Sequence, residues 1–552
     1  MLGSSSEPFE VELYDPERLS HLFHHAEHNS PLTIQDKYHI RFFKDYFSEN
    51  EGLNAKYVVV EKKYINRDYL HDYANYYALC YKDYLKVCTR LHFFTGDFGS
   101  KDEFEKSFKS IIVEGTSKNE VFWANNYLGF IVIKPTPYSV IGFTILKHYN
   151  FNNTKKPFDI DRIYWGIKEY KIHIFGNEVK LSSLAFQEQD SALAACATIA
   201  IWCMLQRAAE DYYVILKSPG EITLDTGITD HQGNRLFPNK GLIVPDMCRA
   251  ITKNGLVTEV RHTHDFEEGE FNQYLRKLIN AYSPIKIPIL LGLKVPINGD
   301  YYGHAVAICA HRMNSSSSTN NKNFLQKIFK NVYESEPKIN WEASKINKFY
   351  AHDDQWGPFS NIEFAPNDTL ITNWTRFSEK HEPCLPVAVI IPVYPKIRIS
   401  YDDIETIILG FDKILMTALE HEINGPVTWD IQIFLSEEYK SKFKTQDDIL
   451  DDTDEEDKVF QFKVLTLNLP KYIWIATIRI NNIIVIEFLF DATGLAQSML
   501  GLHVINYFPT LQSQLQQFLD NNISTIKNLV KDSLNVEYIN FLQKEMSSIT
   551  YS

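Results

Sequence analysis

An α+β protein of several domains is what this sequence predicts, and three observations carry that expectation. With 552 residues, the chain exceeds what a single hydrophobic core serves. From Tyr57 onward, short runs rich in β-branched and aromatic residues alternate with helical stretches. Between Ala192 and Leu205 a helix-length stretch carries no charge, so it has no face to offer water and must be enclosed by other elements. Hydrophobic residues at 44% and aromatics at 14% exclude a largely disordered chain.

Residues 1–178 read as an N-terminal α+β accessory domain. Its strands are YVVVEKKYI from Tyr57, VCTRLHFF from Val87, YLGFIVIKP from Tyr127 and VIGFTILKHY from Val140, and its helices are Asp68–Tyr84 and Asp102–Ile112. Ahead of them, His21, His24, His25 and His28 have the spacing that gathers side chains on one helical face. No cysteine or carboxylate stands at a typical zinc spacing beside them, so they are expected to form an ordinary polar surface.

Residues 179–365 hold the chemistry. Cys196 opens the uncharged helix, where unpaired backbone N–H groups and the positive end of the helix dipole favour a thiolate, the nucleophilic form of cysteine. A small buried packing residue would suit the same place. Downstream, His304 follows Gly303 and opens the apolar run Ala305–Cys309, a buried strand expected to form a hairpin with PIKIPILLGLKVP, whose prolines suit a strand at a sheet edge. A histidine facing a cysteine needs a third group to orient its ring. Asp353 and Asp354 stand where the short Phe349–Tyr350–Ala351 strand runs into the turn at Gly357-Pro358. A helix spanning KGLIVPDMCRAITKNGL packs beside the central one, with Pro245 in its first turn and Gly255 past its end. His262, His264 and Asp265 read as surface groups at a strand end, and Asn314–Asn323 as a flexible insertion.

The order Cys, His, Asp resembles that of the papain-like cysteine peptidases, and especially the leader peptidases of bacteriocin transporters. Gly303-His304-Ala305-Val306-Ala307 is similar to the Asn-His-Ala-Val-Ala around the papain histidine. Asp353 to Gly357 resembles the Asp-Pro-x-x-Gly of the leader peptidases, and Asp354-Gln355-Trp356-Gly357 resembles papain's Asn-Ser-Trp-Gly. The resemblance covers about a third of the chain. It implies a papain-like catalytic domain, with Cys196 as nucleophile, His304 as base and Asp353 as the orienting group. Asp354 is the alternate, because the two registers differ by one residue. It also implies substrate contacts near Trp356 and Gly303. The family's oxyanion glutamine lies six residues before the cysteine, where this chain has Asp190; Gln189, one residue further back, is the nearest substitute.

Residues 366–552 read as a C-terminal α+β accessory domain. LPVAVIIPVYP and VTWDIQIFL are strands around a helix from Asp403 to His421, YIWIATIRI and IIVIEFLFDAT form a hairpin about Asn481-Asn482, and a helical tail runs from Leu511 to Lys544. The acidic stretch KTQDDILDDTDEEDK lacks the glycine and spacing of a calcium loop and reads as solvated surface. Glu420-His421-Glu422 lacks the second histidine of a zinc-protease helix, and no Gly-x-Ser-x-Gly elbow or phosphate-binding loop occurs.

These readings combine into one expectation: a cysteine peptidase, or a related thiol enzyme acting on amides, whose partner is a protein or peptide substrate. An inactive papain-like scaffold that binds a partner protein is the alternative, as is an acyl transferase of the transglutaminase or deamidase type. The flanking domains are where a regulatory protein partner would bind. No metal and no cofactor are expected. The formal charge of −14, with 56 basic and 70 acidic residues, opposes nucleic acid and anionic membranes. Seven cysteines at irregular spacing, without a signal-peptide pattern at Met1 or a transmembrane-length apolar run, point to the cytoplasm.

Overall fold

The computed structural model describes residues 7–25, 28–50, 52–149, 162–190, 193–227, 229, 233, 241–314, 339–419, 426–444, 455–495, 499–530 and 534–551. The fold is mixed α+β with several sheets. It divides into two compact units, each discontinuous in sequence. The first comprises Met1–Gly269, Lys286–Arg312 and Lys348–Val393, and the second Glu270–Ile285, Met313–Asn347 and Tyr394–Ser552. The chain does not part at 178 or 365, where the sequence suggests boundaries, because the sheets are assembled from segments that lie far apart along it.

In the first unit, β1 (Phe9–Leu13), β2 (Tyr57–Tyr64), β3 (Cys88–Phe94), β4 (Tyr127–Ile133) and β5 (Ile141–Leu146) pair in sequence order as an antiparallel meander. The helix expected over Asp68–Tyr84 is shorter, Arg67–Asn75, followed by a single 3-10 turn at Tyr77–Leu79. β6 (Arg162–Ile163) joins the larger sheet described below, and β7 (Lys168–Ile174) and β8 (Asn177–Ser183) form a separate hairpin. The helix holding His21 ends at Leu22, so the four histidines at 21–28 do not share a helical face.

The larger sheet of this unit carries the site. β9 (Val257–His262), β10 (Ile289–Ile297), β11 (Asp300–Met313), β12 (Ile346–Asp353), β13 (Gly357–Ala365), β14 (Thr369–Ile371) and β15 (Leu385–Val393) order as β14-β13-β12-β11-β10-β15-β9, with β6 on β11. Two expectations change here. β10 is interior, paired with β11 on one side and β15 on the other, because its prolines fall before the strand or near its end. β15, read from sequence as the start of a third domain, completes the sheet of His304. Its near-continuous apolar run suits a strand covered on both faces.

The central helix Cys196–Asp211 is buried from Ala197 to Ala208, as its lack of charge requires. Trp202 Nε1 donates to Asp68 Oδ2 at 3.1 Å and Thr198 shares a hydrogen bond with Thr223 at 3.2 Å, which fix the helix against its neighbours. In the second unit, β16 (Val427–Leu435), β17 (Tyr472–Ile480), β18 (Ile483–Asp491), β19 (Gly501–Asn506) and β20 (Ile549–Thr550) form a sheet in sequence order. Asn481 and Asn482, with φ of +52° and +68°, make the tight β17–β18 turn that their short polar side chains tolerate. The tail is three helices, Pro509–Asn521, Ile523–Leu529 and Val536–Glu545. Among the described residues no helix is long and apolar enough to cross a membrane. Most of the Asn314–Asn323 insertion, the Glu420–Glu422 triplet and most of the acidic stretch lie outside the described residues.

Candidate active site

Cys196 is the first residue of the central helix, with Ala195 as its extended N-cap. No side chain caps this end, so the amides of the first turn remain available beside the thiol. Cys196 is half-buried, whereas Cys203 and Cys309 are sealed, with burial pushing both thiols up. All seven cysteines are free.

His304 comes to the thiol from β11. Its Nε2 lies 2.9 Å from Asp353 Oδ1 and 3.8 Å from Asp354 Oδ1. With Nε2 committed to Asp353, Nδ1 is the ring nitrogen left for the Cys196 side chain, which stands near enough to help raise the His304 pKa. The ring is almost wholly buried. Burial alone opposes its charge, but the Asp353 carboxylate, its hydrogen bond and the Cys196 side chain together hold the His304 pKa well above the ordinary value. Asp353 responds in kind: burial would raise its pKa, yet the His304 imidazolium beside it brings it below the usual range.

Asp353 closes β12, and a tight turn, with Trp356 N–H donating to Asp353 O at 3.0 Å, leads into β13. That turn aims the carboxylate. Gln355 N–H donates to Oδ1 at 3.1 Å and Trp374 Nε1–H donates to Oδ2 at 3.0 Å. Trp374, on the short helix Asn373–Phe377, also stands edge-on to the His304 ring with centroids 5.5 Å apart. A Cβ added at Gly357 would lie 2.2 Å from the Phe42 ring, so only glycine lets the turn pack there.

Asp354 points its carboxyl into the same buried space without a hydrogen bond to either oxygen. Burial pushes its pKa up to about 7, the nearby His304 charge opposing and Asp353 and Glu188 adding to the rise. Its carbonyl receives His39 Nε2 at 2.8 Å from the helix Tyr38–Tyr46, so the N-terminal segment supports the turn from behind.

His304, Asp353 and Asp354 could each offer a ligand atom, all within 4.8 Å of one another. The 2.9 Å separation of Nε2 and Oδ1 is that of a hydrogen bond, and both Asp353 oxygens already accept from N–H donors. That arrangement fits a proton between the two groups better than a cation.

Asp190, in the place of the family glutamine, is turned elsewhere: it is hydrogen-bonded by Tyr77 Oη and lies 3.9 Å from Lys134 Nζ. Gln187 is buried and lines the same small cavity as Asp190. Gln189 is half-buried. Trp356 is buried, stacks on Tyr38 at 4.6 Å and on Phe377 at 5.2 Å, and its Nε1 has no partner. With Trp374 and Phe377 it walls a cavity of about 370 Å³, whose far side is the end of β10 at Pro296 and Ile297 and whose rim carries Lys380. Gly303 is exposed on β11, with open space where a side chain would stand.

Sequence reasoning missed Trp374 and His39. Neither sits in a local pattern that marks its role; each acts through a contact across more than twenty residues or across the whole unit. His262 and His264 are surface groups at the end of β9, with His264 largely exposed. No protein-family model matches the chain, and no curated protein matches it.

Proposed function

We infer that the protein is a thiol hydrolase of amide bonds, a cysteine peptidase in the simplest case. The observation that carries this reading is the chain of contacts from the Cys196 side chain through His304 to Asp353, at the open end of a helix and beside an aromatic cavity. In the proposed reaction, the His304 ring, charged beside Asp353, holds the proton it shares with the thiol while Cys196 Sγ bonds to the carbonyl carbon of the substrate. His304 then gives that proton to the leaving nitrogen as the C–N bond breaks. Water, deprotonated by the same ring, hydrolyses the thioester. Asp353 keeps the ring turned and its charge balanced. The Cys196 N–H supplies one oxyanion donor, and Gln189 is the side chain we assign as the second. The cavity walled by Trp356, Trp374 and Phe377 suits an apolar side chain of a peptide, and the open backbone at Gly303 leaves room for an extended segment. Transfer of the acyl group to an amine instead of water would use the same groups.

The position of Asp190 favours a second reading, a papain-like scaffold that binds a protein partner without turnover. Active-site labelling separates the two. Native protein treated with substoichiometric iodoacetamide should be modified at Cys196 ahead of the other six cysteines. A panel of peptidyl amides should be cleaved at a rate that falls about 10³-fold or more in Cys196→Ala. Labelling spread evenly over the exposed thiols, with no cleavage, would leave the scaffold reading standing.

A further inference from the structure

The second unit contains a cavity of about 230 Å³ that has no part in the chemistry above. It opens on one face of the β16–β18 sheet. The period of two along a strand places Asp430, Gln432 and Phe434 of β16 on that face with Ile475, Thr477 and Arg479 of β17, and the register aligns Asp430 with Thr477 and Thr477 with Glu487 of β18. The opposite face is a conventional core, in which Trp429 donates from Nε1 to Asp412 at 2.7 Å and Phe411 meets Phe488 at 5.1 Å. On the cavity face the packing is apolar at one end, around Tyr439, Phe460, Val464 and Ile475, and becomes polar at the other.

That polar end is unbalanced in a specific way. Its two carboxylates are occupied. Glu487, almost wholly buried, accepts the hydroxyls of Tyr439 at 2.7 Å, Tyr507 at 2.9 Å and Thr477 at 3.5 Å. Asp430, also buried, accepts Asn280 Nδ2 at 2.6 Å. Its two cations are not. Arg479 reaches Asp430 Oδ2 only at 3.9 Å, and its buried Nε has no acceptor. Lys442, at the rim, has no hydrogen-bonded acceptor or ion pair among the described residues, and its ammonium lies 3.8 Å over the Phe434 ring. Crowding by burial lowers the Lys442 pKa, with Glu487 and Asp430 opposing and Arg479 adding to the fall; burial raises that of Asp430 despite Asn280. A guanidinium held partly out of water, with its Nε lacking an acceptor, costs free energy that an incoming anion returns, and the exposed Lys442 ammonium adds its charge at the mouth.

We propose that this cavity is a binding site for a small anion bearing a carboxylate or a phosphate, held by the Arg479 guanidinium and the Lys442 ammonium. The planar fork of arginine suits two oxygens of either group, and lysine adds a point charge from the rim. The volume falls below the ~300–1,000 Å³ usual for drug-sized ligands, which selects a compact metabolite or inorganic ion. Tyr439 and Tyr507 stand ready to contact a hydroxyl on it.

The test is calorimetric titration of the full chain at low ionic strength with succinate, inorganic phosphate and, as a neutral control, succinamide. The expected result is saturable one-to-one binding of succinate or phosphate and none of succinamide. Binding of one probe and not the other identifies the anion's source. Arg479→Gln should weaken the binding about tenfold or more, and Lys442→Met several-fold, as befits charged hydrogen bonds. Lys442 is at the rim, so its variant folds even if Arg479→Gln does not, and it is sufficient to decide the matter. Absence of saturable binding by both anions, or affinity unchanged in Lys442→Met and in folded Arg479→Gln, overturns the proposal.

Discussion

His304 and His352 stand on neighbouring strands of one sheet, equally buried, and are driven to opposite charge states. His352 Nδ1 accepts the Phe359 N–H at 3.1 Å and its Nε2 faces the Leu184 carbonyl at 3.0 Å, a pair of contacts that a neutral ring satisfies. Burial lowers its pKa to about 4. His311, whose Nδ1 receives Trp165 Nε1–H at 3.2 Å, is lowered to about 4 in the same way. His304 has the same burial but a carboxylate at 2.9 Å and a thiol on its other side, and its pKa goes well above the ordinary value. Burial therefore sets the default for a histidine in this sheet, and a carboxylate fixed by two N–H donors reverses it.

The sharpest way to break that comparison is to remove each ring in turn. His304→Ala should slow alkylation of Cys196 at pH 6 by about 10³-fold, the size of a lost general base and its charge. His352→Gln should leave the rate of the folded protein within about threefold. Equal losses would mean that both act only through packing.

Next in size is a stability effect at Asp354. Its folded pKa of about 7 exceeds the unfolded value of about 3.9, so the folded state binds the extra proton and wild-type stability falls as pH rises from about 4 to 7. Asp354→Asn removes that slope. Urea unfolding at pH 5 and pH 8 should show the variant gaining on wild type by about 3 kcal/mol between the two pH values. His352 has the opposite sign: its folded pKa lies below about 6.5, so its contribution is present above that pH and is lost as pH falls towards 4. A gain for Asp354→Asn that does not change with pH would contradict the buried, unbonded carboxyl.

Smaller effects come from the groups that aim the ring. Asp353→Ala should cost about 10–100-fold in Cys196 alkylation at pH 6, whereas Asp353→Asn, whose amide oxygen still accepts from Nε2–H, should cost less. Trp374→Phe removes one donor to Asp353 and should cost about 1 kcal/mol, roughly fivefold in the same rate. If Trp374→Phe equals Asp353→Ala, the tryptophan does more than hold the carboxylate.

How much of this could be read from the sequence follows from the range of each interaction. The start of the central helix at Cys196 was legible because an uncharged run of that length has one physical meaning, and the strands of His304 and Asp353 because apolar runs and a Gly-Pro turn bound them. The choice between Asp353 and Asp354 was not, since adjacent residues at a strand end point in different directions once the turn is formed: one bonds the ring at 2.9 Å, the other stops at 3.8 Å. Trp374 left no local trace, because its partner lies 21 positions away and its N-cap, Thr372, marks only an ordinary short helix. β15 was assigned to the wrong body because an apolar strand carries no label for the sheet that will cover it. Asp190 shows the limit of matching by spacing, as the position aligned with the oxyanion glutamine is tied to Tyr77 and Lys134 instead.

The central claim, that Cys196 and His304 work as a pair charged by Asp353, is tested most directly by the pH dependence of Cys196 alkylation in wild type and His304→Ala. The account predicts that loss of the His304 ring slows Cys196 alkylation most at acidic pH, with the two rates drawing together as pH rises. Coincident profiles for the two proteins would contradict it.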